Sequence, residues 1–98
     1  NILKKIHIEY DSNFDIETLA KQMHMSIPTF HRNFKSMTGY SPIQYIKNIR
    51  LNKAKVLLDV EWYSVKEAAQ NVWYTSQSQF SREYKRYFGN PPISDSKK

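Results

Sequence analysis

Residues 76–92 read SQSQFSREYKRYFGNPP, and residues 26–42 read SIPTFHRNFKSMTGYSP. Laid over each other at an offset of 50, they agree where a helical fold is decided. Ser26 meets Ser76, Phe30 meets Phe80, Arg32 meets Arg82, Phe34 meets Tyr84, Lys35 meets Lys85, Gly39 meets Gly89 and Pro42 meets Pro92, with Ile43 on Ile93 just beyond. An internal repeat of this length marks one structural unit used twice. Upstream the offset falls to 49, where Ala20 meets Ala69. The second copy therefore carries one extra residue between Ala69 and Ser76, and a single-residue insertion is absorbed in a turn.

Capping chemistry punctuates each copy. Ser26 and Ser76 are expected N-caps, and Pro28 falls in the first turn, where its missing N–H costs nothing. Gln79 stands where it completes a capping box with Ser76, and Gly39 and Gly89 stand where a helix ends in a left-handed residue. Phe30, Phe34 and Met37 in one copy, and Phe80, Tyr84 and Phe88 in the other, form an expected buried stripe at helical spacing. Ahead of each lies a shorter helical pattern. The first is capped by Asp15 and carries Ile16, Leu19, Ala20 and Met23; the second opens with a Ser64/Glu67 capping box and carries Val65, Ala68, Ala69 and Val72.

Between the copies, Ser41 and Pro42 read as N-cap and first helical residue of a long helix over 43–58, with Ile46, Ile49, Ala54, Leu57 and Leu58 inside it. At about 1.5 Å per residue it spans roughly 24 Å. Ile2, Ile6 and Tyr10 add an amphipathic pattern at the start. The expected fold class is all-α: two helix-turn-helix subdomains, about seven helices in total, joined by one long central helix. The expected boundaries are 1–40 for the first subdomain, 41–58 for the linker helix, 59–92 for the second subdomain and 93–98 for a flexible tail.

Composition narrows the function. With 98 residues at 40% hydrophobic, the chain can build a modest core. It has no cysteine, which excludes disulfides, thiolate zinc sites and cysteine nucleophiles. Fifteen Lys and Arg against 9 Asp and Glu give +6, a field that attracts phosphates, anionic headgroups or an acidic protein face. No apolar run approaches the roughly 20 residues that cross a bilayer, and no signal-peptide pattern opens the chain, so a cytoplasmic, nucleoid-associated protein is expected. The start at Asn1, inside an amphipathic pattern, reads as a piece of a longer protein. His7, His24 and His31 are scattered, and no motif sets a nucleophile beside a base, so no metal, cofactor or enzymatic activity is expected.

A short helix, a turn of three or four residues and a second helix with a polar outer face form the arrangement that reads a major groove. The outward positions here are Pro28, His31, Arg32 and Lys35, then Gln77, Ser78, Ser81, Arg82 and Lys85. Arg spans guanine O6 and N7, Gln spans adenine N6 and N7, and Ser or His bonds singly. Phosphate contacts are expected from the helix starts at Ser26 and Ser76 and from Lys35, Lys47 and Lys85. An isolated Arg reads more simply as a solvated surface charge. Arg32 and Arg82, however, recur in register, and that favours base contact. Two alternatives share the charge. One is docking to an acidic protein such as an RNA polymerase subunit. The other is membrane binding by basic amphipathic helices, disfavoured because the apolar faces are needed to bury each other.

These residues resemble a known family. Met25-Ser26, Phe30-His31-Arg32-Asn33-Phe34-Lys35, Gly39-Tyr40-Ser41-Pro42, Tyr45-Ile46, Arg50-Leu51, Ala54 and Leu57-Leu58, followed by Ser76, Ser78, Phe80-Ser81-Arg82, Tyr84-Lys85, Phe88-Gly89 and Pro92, are similar to the C-terminal DNA-binding domain of AraC/XylS transcription regulators. The resemblance implies two recognition helices in successive major grooves of an operator, often with the domain as a monomer, normally coupled to an N-terminal regulatory domain in a protein that can dimerise. Carried over by motif position, it implies base contacts from Pro28, His31, Arg32, Gln77, Ser78, Ser81 and Arg82. One departure stands out. The family usually has Gly then Phe in the second turn, where this chain has Trp73 then Tyr74. Trp adopts positive φ only with strain, so the turn is expected to be either reshaped or strained.

Overall fold

The repeat seen in the sequence recurs in the backbone. The computed structural model describes residues 16–98. The expected Asp15 cap and the amphipathic pattern of Ile2, Ile6 and Tyr10 lie outside the described residues. Among those described there are five α-helices: α1 (Ile16–Gln22), α2 (Ile27–Thr38), α3 (Pro42–Asp59), α4 (Val65–Asn71) and α5 (Gln77–Phe88), followed by a 3-10 turn at Pro92–Ser94. The chain divides into two units, Asn1–Ile49 and Arg50–Lys98, and the division falls inside α3. That helix is 18 residues long, about 27 Å, and each unit uses its own half of it.

In the first unit, Leu19 and Ala20 of α1 pack with Phe30 and Phe34 of α2 and Ile46 of α3. The rings of Phe30 and Phe34 lie 5.7 Å apart, and Tyr45 meets Phe34 edge-on at 5.3 Å. In the second unit, Leu51, Ala54, Leu57 and Leu58 of α3 meet Ala68 and Ala69 of α4, then Val72, Tyr74, Phe80 and Tyr84. Each buried Leu or Phe contributes about 1.5–3 kcal/mol over its exposed state. The small alanines let α1 and α4 lie close against the helices that follow. Met37 departs from the expected stripe at 59% exposed. Tyr87, its counterpart, is exposed as well, so in both copies this position lies beyond the edge of the core.

The caps follow the side-chain chemistry. The hydroxyls of Ser26, Ser41, Ser64 and Ser76 accept from the backbone N–H groups of Thr29, Gln44, Glu67 and Gln79. Glu67 returns the bond to the Ser64 N–H at 3.0 Å, completing that capping box. The box expected at Ser76 stays half made, because the Gln79 amide donates to Glu83 at 2.8 Å instead of turning back. Gly39 and Gly89 end α2 and α5 at φ 83° and 90°, where a Cβ is costly.

Residues 93–98, expected as a flexible tail, instead carry specific contacts to the second unit. The buried Tyr84 hydroxyl donates to Asp95 at 2.5 Å, and Lys55 pairs with the same carboxylate at 3.3 Å. Ser96 donates to the Tyr63 carbonyl, Lys97 pairs with Asp59, and Lys98 reaches Glu67 at 2.7 Å. Tyr84, Lys55 and Asn90 hold the Asp95 carboxyl below its usual range against some desolvation. Lys98, with Ser64, holds Glu67 down at about 2. Burial and the facing Asp95 push the Tyr84 hydroxyl up.

Candidate nucleic-acid interface

Both α2 and α5 are entered through the same turn. In the first unit Met23 N–H bonds the Leu19 carbonyl, His24 that of Lys21 and Met25 that of Ala20; in the second, Val72 bonds Ala68, Trp73 bonds Gln70 and Tyr74 bonds Ala69. His24 and Trp73 hold the left-handed position at φ 57° and 67°. The second turn is therefore strained, and it keeps the hydrogen bonds of the first. Register 49 runs through Tyr74, so Thr75 is the inserted residue, taken up between the turn and the Ser76 cap.

Past the turn, one side of each of these helices is tied down. In α5, Tyr74 donates to Glu83 Oε1 at 2.9 Å while Gln79 donates to Oε2, so both carboxylate oxygens are held. Desolvation first, then Glu83, pushes the Tyr74 hydroxyl up. The same two positions meet in α2 through a weaker bond, from the Asn33 amide to the Met25 sulfur at 3.6 Å. Met25 with Asn33 and Tyr74 with Glu83 were not singled out from the sequence, although Gln79 and Glu83 stand at the i, i+4 spacing that signals a pair.

The opposite side of each helix is open. Pro28 and Arg32 are exposed, and His31 is half-buried with its ring edge-on to Phe30 at 6.5 Å. Gln77, Ser78 and Arg82 are exposed, Ser81 is half-buried, and Gln77, Ser78 and Ser81 line one open concave surface. Lys35 and Lys85 are exposed in the last turns. Ser26 and Ser76 are exposed, but their hydroxyls are engaged as caps, leaving backbone N–H groups for any anion. Lys47 lies on α3, half-buried and already interacting within the chain.

Some cations are neutralised within the chain and others are not. Lys21, Lys53, Lys55, Lys97 and Lys98 pair with Glu17, Glu61, Asp95, Asp59 and Glu67. Arg32, Lys35, Lys66, Arg82, Lys85 and Arg86 have no ion-pair partner among the described residues, and of these Arg32 with Arg82 and Lys35 with Lys85 recur in the repeat. Among those residues, too, no helix is long and apolar enough to cross a membrane, and no cluster of His, Asp and Glu could hold a metal.

A family model described as a helix-turn-helix domain matches residues 19–97. The chain is 33% identical over 92 residues to the HTH-type transcriptional regulator AlkR of Acinetobacter baylyi, covering 94% of this chain and 30% of that protein. It is 29% identical over 91 residues to the Msm operon regulatory protein of Streptococcus mutans, covering 93% of this chain and 33% of that protein. The chain thus spans about a third of the length of these relatives. Among solved structures, the DNA-binding domain of the global transcriptional factor AdpA, in complex with a target DNA, matches at TM-score 0.87 and 32% identity, over 95% of this chain and 84% of that one. With the turn, its left-handed residue and a polar outer face each present twice, the chain belongs to the AraC/XylS family, as the helix-turn-helix DNA-binding domain of a transcription regulator.

Proposed function

We propose that this domain binds duplex DNA sequence-specifically by placing α2 and α5 in successive major grooves, with α3 as the helix joining the two subdomains. The carrying observation is the pair of repeated cations, Arg32 with Lys35 and Arg82 with Lys85, exposed and without an ion-pair partner among the described residues. Pro28, His31, Arg32, Gln77, Ser78, Ser81 and Arg82 are the base-reading set. Arg82 and Arg32 suit guanine, Gln77 suits adenine, and Pro28 offers only shape and an apolar contact. Ser26, Ser76, Lys35, Lys47 and Lys85 hold phosphates and fix the register. The known complex of a structural relative with its target DNA supports the reading by analogy.

In the full-length regulator the domain is coupled to an N-terminal regulatory domain, acts on the nucleoid in the cytoplasm, and has RNA polymerase as a second partner. The domain by itself is a monomer; dimerisation belongs to the longer protein. A band-shift titration on duplexes selected from a random pool tests the reading. About six neutralised phosphates give a log-log salt slope near −5. Equal affinity for selected and scrambled duplexes at every salt concentration overturns it.

A further inference from the structure

Beside Gln77 and Ser81 lies an open cavity of about 200 Å³ whose remaining lining is Val65, Pro91, Pro92 and Ile93. Its apolar wall is built, not incidental. Pro92 is buried and starts the 3-10 turn, and Asp95, anchored on Tyr84, closes the segment from the far side. Ile93 is thereby held between two fixed points, yet it is 66% exposed and takes no part in the second core. Ile43, at the same place in the repeat, is also half exposed, but it begins a long helix rather than a pinned turn.

We propose that this cavity receives the C5-methyl group of a thymine next to the base that Gln77 reads, making Ile93 and Val65 specificity-determining residues outside the reading helix. The inference rests on the DNA-binding reading above. Its chemistry is that of the major groove, where the only apolar group any base pair presents is the thymine methyl. Gln77 and Ser81, on the lip, supply the donors and acceptors for base edges, so the apolar wall is continuous with the polar reading face. A pocket with hydrogen-bonding side chains on one rim and isoleucine, valine and proline on the other matches adjacent A·T steps, which show both characters. A purely electrostatic backbone contact needs no such wall.

The test replaces each thymine of a selected duplex, one at a time, by deoxyuridine, which removes the methyl group and nothing else. The unmodified chain is expected to lose about fourfold in affinity at one thymine adjacent to the pair that Gln77→Ala relaxes. Ile93→Ser is expected to bind the thymine and deoxyuridine duplexes alike at that position, and Ile93→Leu to keep the preference. Circular dichroism and urea midpoints matching the parent confirm that both variants fold. The proposal is overturned if no deoxyuridine position weakens the parent chain, or if Ile93→Ser retains the full thymine preference, which places the methyl elsewhere. Should Gln77→Ala and Arg82→Ala relax specificity while the deoxyuridine scan is silent, base reading stands and the methyl pocket falls. If no duplex is enriched at all, both fall.

Discussion

The two units carry the same turn and the same helix after it, yet they secure that helix with different chemistry. In the second unit Tyr74 and Gln79 clamp both oxygens of Glu83, and the rings of Tyr74, Phe80, Tyr84 and Phe88 follow one another at 5.3, 5.7 and 4.5 Å. In the first unit a thioether accepts the corresponding bond at 3.6 Å, and the position of Phe88 is held by Thr38, whose hydroxyl turns back to the Phe34 carbonyl. Charged hydrogen bonds are roughly twice as strong as neutral ones, and sulfur is a weak acceptor. The second helix is thus fixed by a charged clamp and an aromatic ladder, the first mainly by packing. Equal topology does not imply equal rigidity, and the difference predicts tighter base discrimination by the second unit.

Breaking the clamp gives the largest expected effect. Tyr74→Phe removes a bond to a carboxylate and is expected to cost about 1.5–3 kcal/mol in urea denaturation. Asn33→Ala, at the matching joint of the first unit, is expected to cost only a few tenths of that range. Similar losses for the two would erase the asymmetry. Both tryptophans, Trp62 and Trp73, lie in the second unit, so fluorescence reports its unfolding separately.

The turns sharpen the comparison from the other direction. Trp73 holds φ 67° while 53% exposed, so it has backbone strain with only part of its ring packed. Trp73→Gly is expected to stabilise the second unit by about 1 kcal/mol, since glycine occupies this conformation without a Cβ clash. His24→Gly is expected to yield less, because histidine tolerates the left-handed region better than a bulky aromatic. Thermal melts monitored by far-UV circular dichroism check both.

A smaller difference appears with acid. The folded second unit lowers the Asp95 and Glu67 carboxyls below their ordinary values, so it gains stability wherever the unfolded chain would otherwise bind those protons. That gain is complete above the ordinary carboxylate range and fades as pH falls from about 5 toward 2. The tryptophan-reported melting temperature is expected to drop across that window, and Asp95→Asn is expected to flatten the decline. The first unit, whose Glu17–Lys21 pair is solvent-exposed, is expected to respond less.

The sequence made the local punctuation legible and left the long-range joints hidden. Ser26, Ser64, Ser76, Gly39 and Gly89 announce helix ends because a cap is decided by a residue and its third neighbour. The anchorage of 93–98 was not legible, since Lys98 to Glu67 spans 31 positions and Ser96 to Tyr63 spans 33. A run of polar residues looks frayed until the groups that receive it are placed. Gln79 shows the same limit at short range: its spacing from Ser76 suited a capping box, but Glu83, held by Tyr74, took its amide. For the candidate site, helical spacing separated the buried Phe30, Phe34, Phe80 and Tyr84 from the exposed Arg32 and Arg82, but it put the exposed Met37 in the stripe and the half-buried His31 and Ser81 outside it. The apolar wall at Ile93 could emerge only once the segment after α5 had folded back.

In-vitro selection of bound duplexes by the unmodified chain, by Arg32→Ala and by Arg82→Ala tests the paired-reader claim most directly. Each variant is expected to lose about 1–3 kcal/mol and to relax preference at a single base pair, the two pairs lying about 10 base pairs apart. Uniform weakening on every duplex, with the selected consensus unchanged in both variants, would contradict it.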